Sequence, residues 1–173
     1  NLIESAKCVQ LFNTLTPQRY TDSRSIAALV DTLAVQGAYA ERWIAKPRAS
    51  GHAGHHFDLR VVAFDGEPRQ RVARIADQPM TNLHLGNRRG DPQTLLDAAE
   101  MTATENCVRK AAAVFPASAM IGFDLIPGHD ACRVLEANAF GDLLPDLYWH
   151  GADVYDDQAA WVARHGAQNR SAA

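Results

Sequence analysis

Long apolar runs are missing from this chain. The longest candidate, Ala111 to Ile126, is broken by Pro116, Ser118, Gly122 and Asp124, and a bilayer span needs about 18 uninterrupted apolar residues. A basic excess is missing too. Seventeen Lys and Arg stand against twenty Asp and Glu, for a net charge of −3, so neither a nucleic acid nor a membrane is the expected partner. No basic-then-apolar leader is read. The cysteines are three, Cys8, Cys107 and Cys132. They are too few and too widely spaced for a disulfide framework or a metal motif, and the expected setting is reducing and cytoplasmic. No repeat, low-complexity tract or Gly-x-Ser-x-Gly elbow occurs. What remains is ordinary folded composition: 173 residues, 47% hydrophobic and 21% charged, enough for one domain or two small lobes.

The first twenty residues give weak signals. A helix follows, capped by Asp22 or Ser23, with Ile26, Leu29, Val30 and Leu33 as its stripe and Gly37 as its left-handed stop. Tyr39 to Ile44 reads as a short strand and Lys46 to His56 as a loop. Phe57 to Phe64, Asp65-Gly66 and Val72 to Ile75 form a hairpin signal with a type I′ turn. Asp77 to Gly90 reads as loop. Asp91 and Pro92 open a long helix whose expected stripe is Leu96, Ala99, Ala103, Cys107, Ala111 and Val114. A second hairpin joins Ala119–Ile126 to Cys132–Phe140, and a last helix covers Val154 to Arg164. This order predicts an α+β fold, an antiparallel sheet with helices packed on one face.

The second hairpin carries the most chemistry. Glu136 and Asn138 alternate onto one face. A turn centred near Asp130 sets Asp124 opposite Glu136. Facing carboxylates repel by up to ~1 kcal/mol, so a positive group should lie nearby. Two carboxylates and an amide carbonyl are hard oxygen donors, suited to Mg²⁺ or Mn²⁺. The alternative is that both acids are ion-paired to arginines. In the first hairpin Arg60 shares a face with Asp58 and Val62. An ideal two-residue turn sets Arg71 opposite Arg60 and Arg74 on the other face. A bulge near Pro68 reverses that.

These motifs, taken in order, resemble the ATP-grasp superfamily. Phe57-Asp58-Leu59-Arg60 before Asp65-Gly66 is similar to its Asp-x-Arg strand, and Arg74 to the second arginine of the glutamate-ligase-like branch. That branch includes ribosomal-protein-modifying and glutathione synthetase-like enzymes. Asn82-Leu83-His84-Leu85-Gly86 is similar to its Asn-x-His-x-Gly loop, Gly122-Phe123-Asp124-Leu125 to its Gly-x-Asp-Leu strand, and Glu136-Ala137-Asn138 to its Glu-x-Asn strand. The likeness runs from Tyr39 to Asp142. It implies an ATP-dependent ligase in which phosphoryl transfer activates a small-molecule carboxylate and an amine or amino-acid acceptor displaces phosphate. Asp124, Glu136 and Asn138 would bind Mg²⁺. Arg60, Arg74, Asn82 and Arg88 would contact phosphate, acyl phosphate or acceptor, and Glu41, Trp43 and Ile44 would form the adenine hinge, with Arg60 also on the nucleotide.

The resemblance has gaps. The first glycine is Gly37, so the family's glycine-rich phosphate loop is not read, and Lys7 has no matching context. Leu85 stands where an arginine usually follows the histidine, leaving Arg88 or Arg89 to substitute. The expected layout is therefore a small-lobe remnant over 1–38, the carboxy-terminal lobe over 39–165 and a disordered tail over 166–173, the whole being part of a longer ligase. A homodimer stays open. The rival readings are a non-catalytic module that keeps only the sheet, and a phosphohydrolase using the same carboxylates. The His52, His55 and His56 cluster is read as adventitious metal binding, His84 as a base or a hydrogen-bonded loop residue. Trp43, Trp149 and Trp161 are read as packing, and Cys107 as inert core.

Overall fold

A computed structural model describes residues 2–5, 8–11, 18–39, 41–49, 55–81, 86–128, 131–139 and 144–170. The chain divides into two compact units, Asn1–Ala45 with His84–Gly86, and Lys46–Leu83 with Asn87–Ala173.

The first unit holds a three-stranded antiparallel sheet and one helix. Strands β1 (Leu2–Ser5), β2 (Cys8–Leu11) and β3 (Gln18–Tyr20) lie in that order, where the sequence offered little signal. Helix α1 (Ser23–Val35) starts at Asp22, whose side chain accepts from Ser25 N at 2.8 Å. It ends in a Schellman motif. Gly37 adopts φ +75°, its N–H donates to Ala34 O, and Ala38 N–H donates to Leu33 O. The expected strand over Tyr39–Ile44 is absent among the described residues. The 41–47 stretch runs without regular structure. A few alternating apolar residues make no strand where no ladder partner is supplied.

The second unit is a five-stranded antiparallel sheet in the order β6-β5-β4-β7-β8. Its strands are β4 (His56–Phe64), β5 (Glu67–Ala76), β6 (Arg88–Gly90), β7 (Met120–Ile126) and β8 (Arg133–Asn138). Asp65 and Gly66 both take positive φ, +48° and +81°, as a type I′ turn requires. Between Val61 and Ala63 the β4–β5 register shifts, so Arg69 and Gln70 together oppose Val62. This is the bulge anticipated near Pro68. Strand β6 was expected to be loop. Its three residues are too short for a periodic signal, yet they pair with the outer side of β5.

The long helix begins later than Asp91-Pro92 suggested. Asp91 caps only a 3₁₀ turn, Pro92–Thr94, by accepting from Gln93 N. Helix α2 (Ala98–Ala112) has its own cap, Asp97, in a reciprocal box with Glu100. The expected stripe is corrected in part: Leu96, Cys107 and Ala111 do pack on the core, but the fully buried positions of the helix lie one residue along. Thr104, Val108 and Ala112 are buried, whereas Val114 is 71% exposed. Small alanines blurred the phase, and the threonine among the buried positions went unweighted.

Helix α2 covers the face made by Phe57, Leu59, Val61, Ala73, Ile75, Ile121, Phe123 and Leu125. The opposite face is partly covered as well. Val62, Phe64 and Val72 pack with Leu144, Val154 and Trp161, the last two carried by helix α3 (Val154–Arg170). Gln70 Nε2 donates to Asp157 Oδ2 at 2.8 Å and to Ala152 O at 3.0 Å, and Arg69 pairs with Asp157. The one-face arrangement is therefore wrong. The β5 bulge aims Arg69 and Gln70 at α3 and recruits it to the second face. Helix α3 also runs past the expected end at Arg164. No helix among the described residues is long and apolar enough to cross a membrane.

Two substitutions test this account. Asp97→Ala removes the capping box and should cost about 1 kcal/mol. Phe123→Ala empties a wholly buried site and should cost about 3–5 kcal/mol. Urea midpoints at constant slope would check both.

Candidate functional site

The bulge decides which side chains meet. With it, Arg74 opposes Asp58, and Arg60 stays on the same face. In the other direction Arg60 opposes Asp124, and Asp124 opposes Glu136. Gly122 opposes Asn138. One face of the sheet thus carries Arg74, Asp58, Arg60, Asp124, Glu136 and Asn138, leaving the end near the β4–β5 turn to α3.

The charged groups are tightly joined. Arg74 holds Asp58 in a bidentate clamp, Nε to Oδ1 at 2.8 Å and Nη2 to Oδ2 at 2.9 Å. Arg74 Nη2 also lies 3.0 Å from Asp124 Oδ2. Lys46 Nζ donates to Asp58 Oδ2 at 2.8 Å and to Thr81 Oγ1 at 2.5 Å. Arg60 Nε sits 2.6 Å from Asp124 Oδ1, but the contact is poorly aligned: neither Asp124 Oδ1 nor Arg60 Nη1 makes a hydrogen bond, and both are buried. Glycine at 122 leaves room for Arg60, because a Cβ there would lie 3.0 Å from Arg60 Nη1.

Among the described residues Lys46, Arg60 and Arg74 pair with Asp58 and Asp124, while Glu136 opposite Asp124 and Arg89 opposite Arg74 lie on the same face. Burial alone would weaken Arg74's hold on its proton, but Asp58 and then Asp124 raise it above the ordinary arginine value. Burial pushes the Asp124 carboxyl up, against the pull of Arg74 and Arg60. The stability Asp124 contributes is therefore full below the ordinary carboxylate range. It is lost as pH rises through its raised value.

The expected metal ligands share a face, as the alternation of β8 implied. Asp124 nevertheless has both oxygens within 3.0 Å of guanidinium nitrogens, Glu136 is exposed and Asn138 half-buried. Among the described residues no cluster of three or more His, Cys, Asp or Glu is placed to hold a metal. The donor set suits a hard cation only if Asp124 exchanges arginine for metal. The reading of Asp124 as arginine-paired describes what is present.

Arg88 opposes Ile75, which belongs to the α2 face, whereas Arg89 opposes Arg74 on the charged face. Of the two substitutes weighed, the register puts Arg89 there. Its Nη1 donates to Pro145 O at 2.9 Å. Asn82 and His84 lie outside the described residues, as does His52. Glu41, Trp43 and Ile44 belong to the first unit, in the stretch without regular structure, with Trp43 46% exposed. His55 pairs with Asp77, and His56 Nδ1 lies 3.5 Å from Lys46 O. Sequence reasoning missed Lys46, Asp58 as a clamp, and Thr81. Alternation could have found Asp58, which sits two residues before Arg60. Lys46 and Thr81 lie in irregular segments with no periodic signal.

A shallow groove of about 480 Å³ lies elsewhere, between the β4–β5 turn, the end of α2 and α3. Trp161 Nε1 donates there to Asp65 Oδ1 at 2.7 Å and stacks on His165. None of the expected site residues lines it. No protein-family model matches the chain, and no curated protein matches it either.

The central clamp yields a direct test. Asp58 is 1% exposed and joins Lys46 and Arg74, themselves 7% and 11% exposed. Asp58→Asn leaves two buried cations without their shared partner and should cost about 3–5 kcal/mol. Chemical denaturation of the purified variant measures it.

Proposed function

We propose that the charged face binds phosphate-bearing substrate and that the chain is part of an ATP-dependent carboxylate–amine ligase of the ATP-grasp type. One observation carries this reading. The cluster holds a buried Arg60 Nη1 without a hydrogen bond among the described residues, beside a row of oxygen donors at Asp124, Glu136 and Asn138. A guanidinium left short of acceptors is a ready partner for phosphate oxygens. The motifs of the two hairpins add their resemblance to the family. In this reading Arg60 and Arg74 turn from carboxylate to phosphate, and Asp124, Glu136 and Asn138 hold Mg²⁺. The cation would supply charge neutralisation as phosphoryl is transferred. The protein's part is positioning, with Arg89 better placed than Arg88 to reach an anionic group on this face.

A second reading is favoured by the arginine pairing of both Asp124 oxygens. There the cluster is a structural network and the sheet a non-catalytic binding module. Titration of the chain with ATP, with Mg²⁺ and then with EDTA in its place, separates the two. The ligase reading expects magnesium-dependent binding that weakens at least about tenfold, ~1.4 kcal/mol, in Glu136→Gln and in Arg60→Lys. Glu136 is exposed, so its variant should keep the wild-type melting temperature. Absence of binding heat with wild-type protein, or affinity unchanged in both variants, would sink the ligase reading.

A further inference from the structure

Cys107 and Cys132 are far apart in sequence. The fold brings them together. Cys107 lies on α2, one turn after buried Thr104, and Cys132 lies in the approach to β8. Cys107 Sγ donates to the backbone carbonyl of Cys132 at 3.5 Å. Both residues pack against the same core cluster. Both are only half-buried and both are free thiols. A disulfide needs Cα atoms about 4.4–6.8 Å apart. The contact sets the Cys107 sulfur against the main chain of Cys132, within a side chain's length of its thiol.

We propose that Cys107 and Cys132 form a reversible redox pair that fastens α2 to the β7–β8 hairpin. The oxidant is a low-molecular-weight disulfide. Cys107 gives up its proton to solvent and attacks one sulfur of that disulfide. A mixed disulfide forms, and the first small thiolate leaves and takes a proton. Cys132 then loses its proton and attacks Cys107 Sγ, expelling the second small thiol. Two protein thiols become one disulfide, and one small disulfide becomes two thiols, so two electrons leave the protein.

The order of attack follows from the surroundings. Burial first, and the neighbouring Cys107 sulfur second, push the Cys132 thiol up to about 12. Cys132 is therefore a poor opening nucleophile, and the opening attack is assigned to Cys107. The consequence falls on the hairpin that carries Asp124 and Glu136. In the oxidised form a covalent link ties its return strand to the helix under the sheet. The pair stands independently of the ligase reading, since its readouts are thiol chemistry and melting.

The test uses the full chain with oxidised glutathione, followed by intact-mass measurement and peptide mapping. The expected result is a loss of two hydrogens and a crosslinked peptide pair containing positions 107 and 132, with a melting temperature that falls again on reduction. Cys8→Ser should leave the crosslink in place. Cys107→Ser and Cys132→Ser should each abolish it, and Cys132→Ser should stop at the mixed disulfide on Cys107. Circular dichroism confirms that each variant folds, and Cys107→Ala serves if the serine variant does not. Thiols that stay free in the wild type, mixed disulfides alone, or only intermolecular dimers would overturn the proposal.

Discussion

Opposite Val62, strand β5 fits two residues, Arg69 and Gln70, and every β5 side chain between the bulge and Ala76 answers to that one insertion. In a regular ladder, Arg71 would face Arg60, two cations side by side, while Arg74 would turn into the apolar face beneath α2. The shift sends Arg71 to that side instead, where Glu105 on α2 takes it at 2.7 Å. Arg74 swings over to Asp58. A single backbone irregularity therefore sorts Arg71 to Glu105 and Arg74 to Asp58, on opposite faces of the sheet. It also turns Gln70 toward Asp157, so the same residue count helps to seat α3.

Burying this much charge is costly unless each group finds several partners. Asp58 finds Arg74 twice and Lys46 once. Asp124 fares worse. One of its oxygens lies close to Arg60 without a well-directed bond, and its raised proton affinity reflects that incomplete compensation. The two carboxylates are chemically alike and sit on neighbouring strands, yet one is a settled anchor and the other is under-satisfied. An under-satisfied ion pair is where an exchange of partners costs least, and this sets Asp124 apart from the more fully paired Asp58.

Much of this was legible in the residues, and for definite reasons. Asp65-Gly66 dictates its turn because few other pairs tolerate two positive φ values. Period-two alternation placed Glu136 and Asn138 together, and a turn centred near Asp130 set Asp124 opposite Glu136, a pairing the ladder reaches through a register shift beside Asp124. Asp22 and Gly37 marked the ends of α1. The site was less legible where it depends on register. Nothing at Arg69 or Gln70 announces a bulge, though Pro68 hinted at one, and without it the face of Arg74 cannot be assigned. Lys46 and Thr81 come from irregular stretches, and their meeting over Asp58 is purely tertiary. Strand β6 exists because β5 offers an open ladder, not because Arg88-Arg89-Gly90 favours extension. The start of α2 was misplaced because two caps follow one another, Asp91 and Asp97, and only the second is backed by a glutamate at the right distance.

Strand β8 forms the outer margin of the five-stranded sheet, and Val134 and Leu135 there are 41% and 43% exposed. An edge strand with exposed apolar side chains can template pairing with another chain. The ladder between β7 and β8 slips at Leu135, which has no opposite number: Val134 answers Leu125 and Glu136 answers Asp124. That kink breaks the run of evenly spaced amides and carbonyls near its middle. An incoming strand would meet two short stretches out of phase instead of one continuous template, the sort of irregularity that discourages edge-to-edge pairing.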